Sequence, residues 1–223
     1  MASLKTKDTL LITAERMFAE SGIEGVSLRQ IAVEAKQKNT SALHYHFGSK
    51  EDLIEAIFDY RMPMVNECRL HYLAQLETDG RNHNLQALVQ ALVYPLAGQL
   101  DHPEGSPNYL GFMENLIRAS TIEQKRRFYT KYDQSLSQVA RLIRETLPEI
   151  PRDLINLRLA LVVENMIQSL SEWRRLVKEH GQSKAIYRLE NYKANLVAML
   201  AGSLSAPAPA SLQQDENAAK AMS

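Results

Sequence analysis

Asn39, Thr40, Ser41, His44 and Tyr45 bring an amide, two hydroxyls, an imidazole and a phenol into one short stretch. Short donors and acceptors of this kind are what reading base edges in a groove requires. Cations flank them: from Gly25 to Lys50 the charged residues are Arg29, Lys36, Lys38 and Lys50 against Glu34 alone. The whole chain is neutral, with 26 basic and 26 acidic residues, and so lacks the global basic excess common among nucleic-acid binders. A local field is enough to meet phosphates, because screening confines it to about 8–10 Å.

Other chemistries find little support. His44 and His46 stand two apart and point to different sides of a helix, and His71, His83, His102 and His180 show no metal-ligand spacing. No glycine-rich phosphate cradle and no Gly-x-Ser-x-Gly nucleophile motif occurs, so no catalytic residue, metal or cofactor is expected. Glu114 and Glu164 lie among apolar residues, and surface placement is the simpler expectation for both. Cys68 is the single cysteine and reads as a small helical residue, which excludes an internal disulfide and fits a reducing compartment. No apolar run approaches the roughly 18 residues of a membrane span, and the N-terminus lacks the apolar core of a secretory signal. A cytoplasmic location is expected.

The elements that must position the 39–45 stretch are helical. Leu10, Ala14, Met17 and Phe18 recur at i, i+4, i+7 and i+8, which predicts a helix over about 6–21. Gly22 and Gly25 bracket a turn. Ser27-Leu-Arg-Gln30 then forms a capping-box pattern opening a two-turn helix with Leu28, Ile31, Ala32 and Ala35 inward. A second short helix follows over about 40–46, anchored by Leu43 and Phe47 and closed by Gly48. Ser49-Lys-Glu-Asp52 offers another capped start, and Leu53, Ile54, Ile57 and Phe58 carry a helix toward Pro63. Further amphipathic helices are expected near 64–78, 83–101, 107–120, 122–147, 152–180 and 183–203, with Pro95 kinking or breaking its own. The class is all-α: an N-terminal three-helix, helix-turn-helix domain and a larger helical bundle, about nine helices altogether.

Two short helices joined by a few polar residues make a helix-turn-helix, whose second helix enters the major groove. Ala32 and Ala35 supply the small residues at the crossing, and the amides opening the second helix favour a phosphate oxygen. Pattern alone leaves two alternatives: a protein-interaction module in which His44, Tyr45 and His46 fill a packed corner, or a helical-bundle enzyme. The finer residues favour DNA. Gly22-Ile-Glu-Gly-Val-Ser-Leu-Arg-Gln-Ile-Ala32, then Ala35, then Leu43-His-Tyr-His-Phe-Gly-Ser-Lys50 and Leu53 resemble the tetracycline-repressor (TetR) family over roughly Thr6 to Phe58.

The resemblance implies a ligand-responsive repressor that binds a near-palindromic operator as a homodimer. It implies that Ser27, Arg29, Tyr45 and Lys50 approach phosphates and that Thr40, Ser41 and Ala42 face base edges. His44 stands where the family usually has a tyrosine at the groove wall. The sequence departs from the family twice. Lys36 replaces a glycine that ends the first helix in a left-handed conformation, and Ala35 to Phe47 is one residue longer than usual. Which of Lys38, Asn39 and Thr40 reaches a base therefore stays open.

Residues 1–48 are expected to form the DNA-binding domain and 49–203 the ligand-binding and dimerisation domain, with 49–62 as its connecting helix. The Ala-, Pro- and Ser-rich stretch 204–223 cannot bury enough apolar surface to offset its ordering entropy and is expected to be a disordered tail. Leu154–Leu170 and Tyr192–Ala201 are apolar on more than one face. The family dimerises through its last two long helices, which makes Leu161, Met166, Leu170 and Trp173 interface candidates. The resemblance also implies a pocket in the central helices for a small, largely apolar effector. Tyr72, Tyr94, Phe112, Met113, Leu116 and Tyr129 are its candidate lining.

Overall fold

The computed structural model describes residues 2–37, 40–101, 106–119 and 134–210. Among them are nine α-helices, one 3-10 turn and no strand. The head is α1 (Ala2–Ser21), α2 (Leu28–Glu34) and α3 (Ser41–Phe47). The body is α4 (Lys50–Thr78), α5 (Leu85–Ala97), α6 (Pro107–Ala119), α7 (Gln134–Thr146), α8 (Arg152–His180) and α9 (Leu189–Ser205). A single apolar core runs through both, from Leu10 of α1 to Leu204 of α9. Head and body thus differ in connectivity, with no break in packing between them.

Helix α1 buries Leu10, Ala14 and Phe18 completely and stops at Gly22, whose φ of 77° closes the last turn. Gly25 is required by close approach, since a Cβ there would sit 2.5 Å from the Ser21 carbonyl oxygen. The same end of α1 lies on α6. Gly111 lets the two helices meet at Ala19, and Asn115 Nδ2 donates to the Phe18 and Ala19 carbonyls at 3.0 Å. Both carbonyls belong to the last turn of α1, where Phe18 also accepts the Gly22 N–H at 3.1 Å. Phe18, Phe58, Tyr109 and Phe112 pack as an aromatic cluster at this junction, with ring centroids 5.5–6.1 Å apart.

Three boundaries differ from expectation. Pro63 does not end a helix: α4 continues through it to Thr78. Proline removes the hydrogen bond to the Asp59 carbonyl, but Asp59 and Pro63 are both exposed, so water can take that carbonyl. Pro95 is buried inside the last turn of α5, which ends at Ala97, short of the expected 101. The carbonyl it frees, on Ala91, accepts Arg69 Nε from α4 at 3.1 Å. Finally, α9 extends to Ser205 with Leu204 fully buried, past the expected start of the tail. Arg158 Nη1 caps this end by donating to the Leu204 carbonyl at 2.8 Å. Residues 211–223 lie outside the described residues.

Helix α8 places the four interface candidates on two faces. Met166, Leu170 and Trp173 share its inner stripe with Ile155, Leu159 and Val162 and are buried within one protomer. Trp173 Nε1 donates to the Tyr187 carbonyl at 3.0 Å, which anchors the 3-10 turn (Ala185–Tyr187) against α8. Within one protomer that stripe is covered. Leu161 lies on the opposite face and is 57% exposed.

Candidate nucleic-acid interface

The site begins at the capping box. Gln30 N donates to Ser27 Oγ at 3.3 Å, and Ser27 N donates back to Gln30 Oε1 at 2.8 Å, so α2 starts at Leu28. Ile31 and Ala32 fix its inner face. Its outer face carries Arg29, which is exposed.

The helix stops in a Schellman turn. Gln37 N donates to the Ala32 carbonyl at 2.8 Å and Lys36 N to the Val33 carbonyl at 2.9 Å. Lys36 sits at φ 57°, the left-handed position, so the conformation the family assigns to glycine survives with a lysine in it. A side chain there costs on the order of 1 kcal/mol. Lys36→Gly is expected to raise stability by about 0.5–1 kcal/mol in urea unfolding, part of the relief being offset by the freer unfolded chain. It should also weaken DNA binding modestly by removing a cation.

Helix α3 is anchored by Leu43 and Phe47 and turns Ser41, His44 and Tyr45 outward. Tyr45 is 83% exposed, an unusual place for a phenol ring on a small domain. Ala42 and Thr40 are half-buried, and Thr40 occupies the N-cap without a side-chain cap bond. His44 Nδ1 lies 2.9 Å from the Gly48 carbonyl oxygen. A carbonyl can only accept, so Nδ1 carries the proton and Nε2 is the ring's remaining hydrogen-bonding atom. Lys38 and Asn39, named above as base or phosphate contacts, lie outside the described residues.

Behind α3, Ser49 caps α4 in a second box, accepting from Asp52 N at 3.0 Å. Lys50 is half-buried with Nζ 5.8 Å from the Phe18 ring centroid. The electrostatics of the face are sharpened from α1. Arg16 bonds Glu34, the one acid between Gly25 and Lys50, together with Glu20. The hydrogen bond to Glu34 holds the Arg16 guanidinium above its usual value. Glu34 is thereby paired to α1, so the one acid of the 25–50 stretch is already engaged.

Sequence reasoning missed what holds this head at a fixed angle. Arg61 of α4 donates from Nε to Glu15 Oε2 at 2.7 Å and from Nη2 to Glu15 Oε1 at 3.3 Å. Glu15, on α1, is fully buried and also accepts the Ser106 hydroxyl from the residue preceding α6. Ser106 N in turn donates to Gln99 Oε1 at 3.1 Å. One buried carboxylate therefore ties the head, the connecting helix and the start of α6 together. The only signal in the sequence is an arginine placed on the apolar stripe Ile57, Phe58, Met62 and Val65.

Five of the six pocket candidates are described, and they fall in two groups. Phe112, Met113 and Leu116 are buried on α6, with Phe112 in the aromatic cluster against the head. Tyr72 and Tyr94 pair edge-to-face between α4 and α5, with Tyr72 Oη donating to Gln90 Oε1 at 2.9 Å. Burial pushes the Tyr72 phenol up. Tyr129 lies outside the described residues. A separate apolar cavity of about 190 Å³ opens between Leu92 of α5, Leu136 and Ala140 of α7, and Leu159, Val163 and Glu164 of α8. Among the described residues no group of three His, Cys, Asp or Glu could hold a metal, and no helix is long and apolar enough to cross a membrane.

Comparison with known proteins agrees with this layout. The sequence model of "Bacterial regulatory proteins, tetR family" matches residues 10–57, and that of "Tetracyclin repressor-like, C-terminal domain" matches residues 86–203. The chain is 24% identical over 177 residues to the HTH-type transcriptional regulator AcrR of Shigella flexneri, covering 75% of this chain and 77% of that one. It is 29% identical over 100 residues to the HTH-type transcriptional repressor NicS of Pseudomonas putida, covering 45% and 44%. In fold it is similar to a tetR-family transcription regulator from Shewanella sp. PV-4, with a TM-score of 0.59 at 23% identity over 89% of this chain and 97% of that one. The hemolysin II transcriptional regulator HlyIIR superposes with a TM-score of 0.53 at 17% identity, over 92% and 99%.

Proposed function

This chain belongs to the tetracycline-repressor (TetR) family of bacterial regulatory proteins, and from that premise we propose that it represses transcription by binding a near-palindromic operator as a homodimer. The observation that carries the reading is the outer face of α3. Ser41, His44 and Tyr45 project from a helix set between two helices that each start at a capping box, and the one acid of the 25–50 stretch is already paired. In this reading residues 1–48 read DNA in the cytoplasm. Residues 49–203 dimerise and take a small-molecule effector, with 49–62 as the connecting segment. Repression is the sense carried by the name of the relative NicS.

Dimerisation is needed because one head buries too little surface for useful specificity, and paired heads read half-sites about 34–36 Å apart. Leu157 and Leu161 on α8 and Met199 on α9 are 57%, 57% and 55% exposed, and we assign them to the partner-facing surface of a bundle built from α8 and α9 of both protomers. Leu161→Glu with Met199→Glu is expected to yield a folded monomer in sedimentation equilibrium. Its operator affinity should fall by about 100-fold or more, because the second head is no longer tethered beside the first. A dimer that survives both charges would move the interface off α8 and α9.

The effector acts by preferring the state that holds the heads out of register. The Glu15–Arg61–Ser106 link is one connection through which a change at α6 or α4 can reach α1. Operator release from the wild-type protein, followed by fluorescence anisotropy against a small-molecule library, tests the effector reading. Release by no compound would leave a constitutive repressor.

A further inference from the structure

The apolar cavity of about 190 Å³ between α5, α7 and α8 owes its room to small side chains. Ala140 of α7 and Ala160 and Val163 of α8 stand at its wall, where leucines and isoleucines fill the core elsewhere. Ala160 is exposed and marks the mouth. An apolar cavity of about 150 Å³ stays dry and binds benzene, so this one has room for a ring carrying one or two further carbons. Among the described residues no cation lines it, and its one charged wall residue, Glu164, is already engaged by another group. An anion would find nothing there to replace its water, and a cation no free counter-charge. The lining selects a neutral molecule.

Two walls of this cavity are tied to the connecting helix by one side chain. Arg69 of α4 is buried to 2% exposure and is not itself part of the lining. Its Nε donates to the Ala91 carbonyl of α5 at 3.1 Å, and its Nη1 donates to Ser135 Oγ of α7 at 2.9 Å and to Asn66 Oδ1 at 3.4 Å. Ser135 Oγ also donates to Asn66 Oδ1, at 2.8 Å. The next residue along α5, Leu92, and the next along α7, Leu136, both face the cavity. A planar, pre-organised fork thus fixes both walls against α4. Eight residues earlier on the same helix, Arg61 fixes α4 to α1 through Glu15. A molecule that parts α5 from α7 draws two acceptors away from one guanidinium. Helix α4 must then follow one wall or give up a buried hydrogen bond.

We propose that this cavity takes a neutral, apolar effector the size of one substituted ring, and that Arg69 is the positioning residue that carries its arrival to α4. This rests on the effector-responsive reading above and adds the ligand's class and its route toward the head. The probes are toluene, indole, benzoate and benzylamine, at constant ionic strength on the full-length protein. Thermal melting reports binding, and anisotropy of a selected operator duplex reports release. Toluene or indole is expected to stabilise the wild type saturably and to weaken operator binding about tenfold, with both charged probes inert. Ala140→Phe fills the cavity and should lose both responses while binding the operator as the wild type does. Val163→Phe, from another wall, repeats the test should the first variant fail to fold. Arg69→Lys and the milder Ser135→Ala should keep the stabilisation by the neutral ring yet weaken operator binding only about twofold or less when it is added. A purely structural role would lower the melting temperature and leave that ratio unchanged. No stabilisation by either neutral probe, a stronger response to a charged one, or wild-type responses in both phenylalanine variants would overturn the cavity site. Full release from both Arg69→Lys and Ser135→Ala would overturn the relay. Stabilisation confined to the Leu161→Glu, Met199→Glu monomer would give the cavity to the partner protomer and overturn the proposal as well. If another compound of the library releases the operator while the neutral rings do not, only this inference falls; if none does, the effector reading falls with it.

Discussion

Replacing Ser41 and Tyr45 together by glutamate should lower operator affinity by about 100- to 10,000-fold while leaving the melting temperature within about 2 °C of wild type. Both side chains are on the exposed face of α3, and Tyr45 is 83% exposed, so neither supports the core. Each lost groove contact is worth about 1–3 kcal/mol, and two carboxylates add repulsion from the phosphates. His44 is a poorer target, because its Nδ1 bond to the Gly48 carbonyl makes it part of the α3 terminus. Removing it would mix a folding effect with a binding effect. Gel-shift titration at two salt concentrations, alongside circular dichroism, separates these outcomes. Unchanged affinity in a folded double variant would place the contact surface elsewhere.

Glu15→Ala is expected to be the most destabilising single change outside the apolar core, costing about 3–5 kcal/mol. It removes the carboxylate that pairs with the buried Arg61 and accepts the Ser106 hydroxyl. For a chain of this size that corresponds to a fall of about 10 °C in melting temperature. The double replacement Glu15→Leu with Arg61→Met should recover much of the loss, since a hydrophobic pair often matches a buried ion pair in stability. It should not recover regulation. With the link between α1, α4 and α6 gone, the variant is expected to bind operator DNA yet release it less completely when effector binds. Calorimetry of the three variants checks the first claim and an operator-release titration checks the second. A double variant with wild-type release would reduce the ion pair to a structural role.

How much of this could be read beforehand depends on the range of the interaction. The Ser27–Gln30 and Ser49–Asp52 boxes are local, three residues apart, and their spacing alone announces both helix starts. The left-handed turn at Lys36 is also local, although a lysine hides what a glycine would advertise. Pro63 misled because a proline breaks a helix only if the carbonyl it abandons finds no other partner, and that depends on exposure. The placement of Met166, Leu170 and Trp173 was open for a similar reason. A helix apolar on two faces does not say which face is turned inward, and on α8 the inward one is theirs while Leu157 and Leu161 face out.

Arg61 and Arg69 look alike in sequence, two cations eight residues apart on one helix. Only tertiary packing gives the first a carboxylate and the second three neutral partners. The pocket candidates are apolar and aromatic side chains of the central helices. That composition cannot tell the cluster sealing the head to α6 from the wall of a cavity.

Selection of bound sequences from a randomised duplex pool, with wild-type dimer over a salt series and no added effector, tests the central claim most directly. The account expects enrichment of a near-palindrome whose half-sites are about one helical turn apart or a multiple of it. Affinity for that site should fall steeply and linearly in log–log form as salt rises. A folded dimer that enriches no sequence at low salt, or whose binding is insensitive to salt, would contradict the assignment of α3 as a reader of DNA.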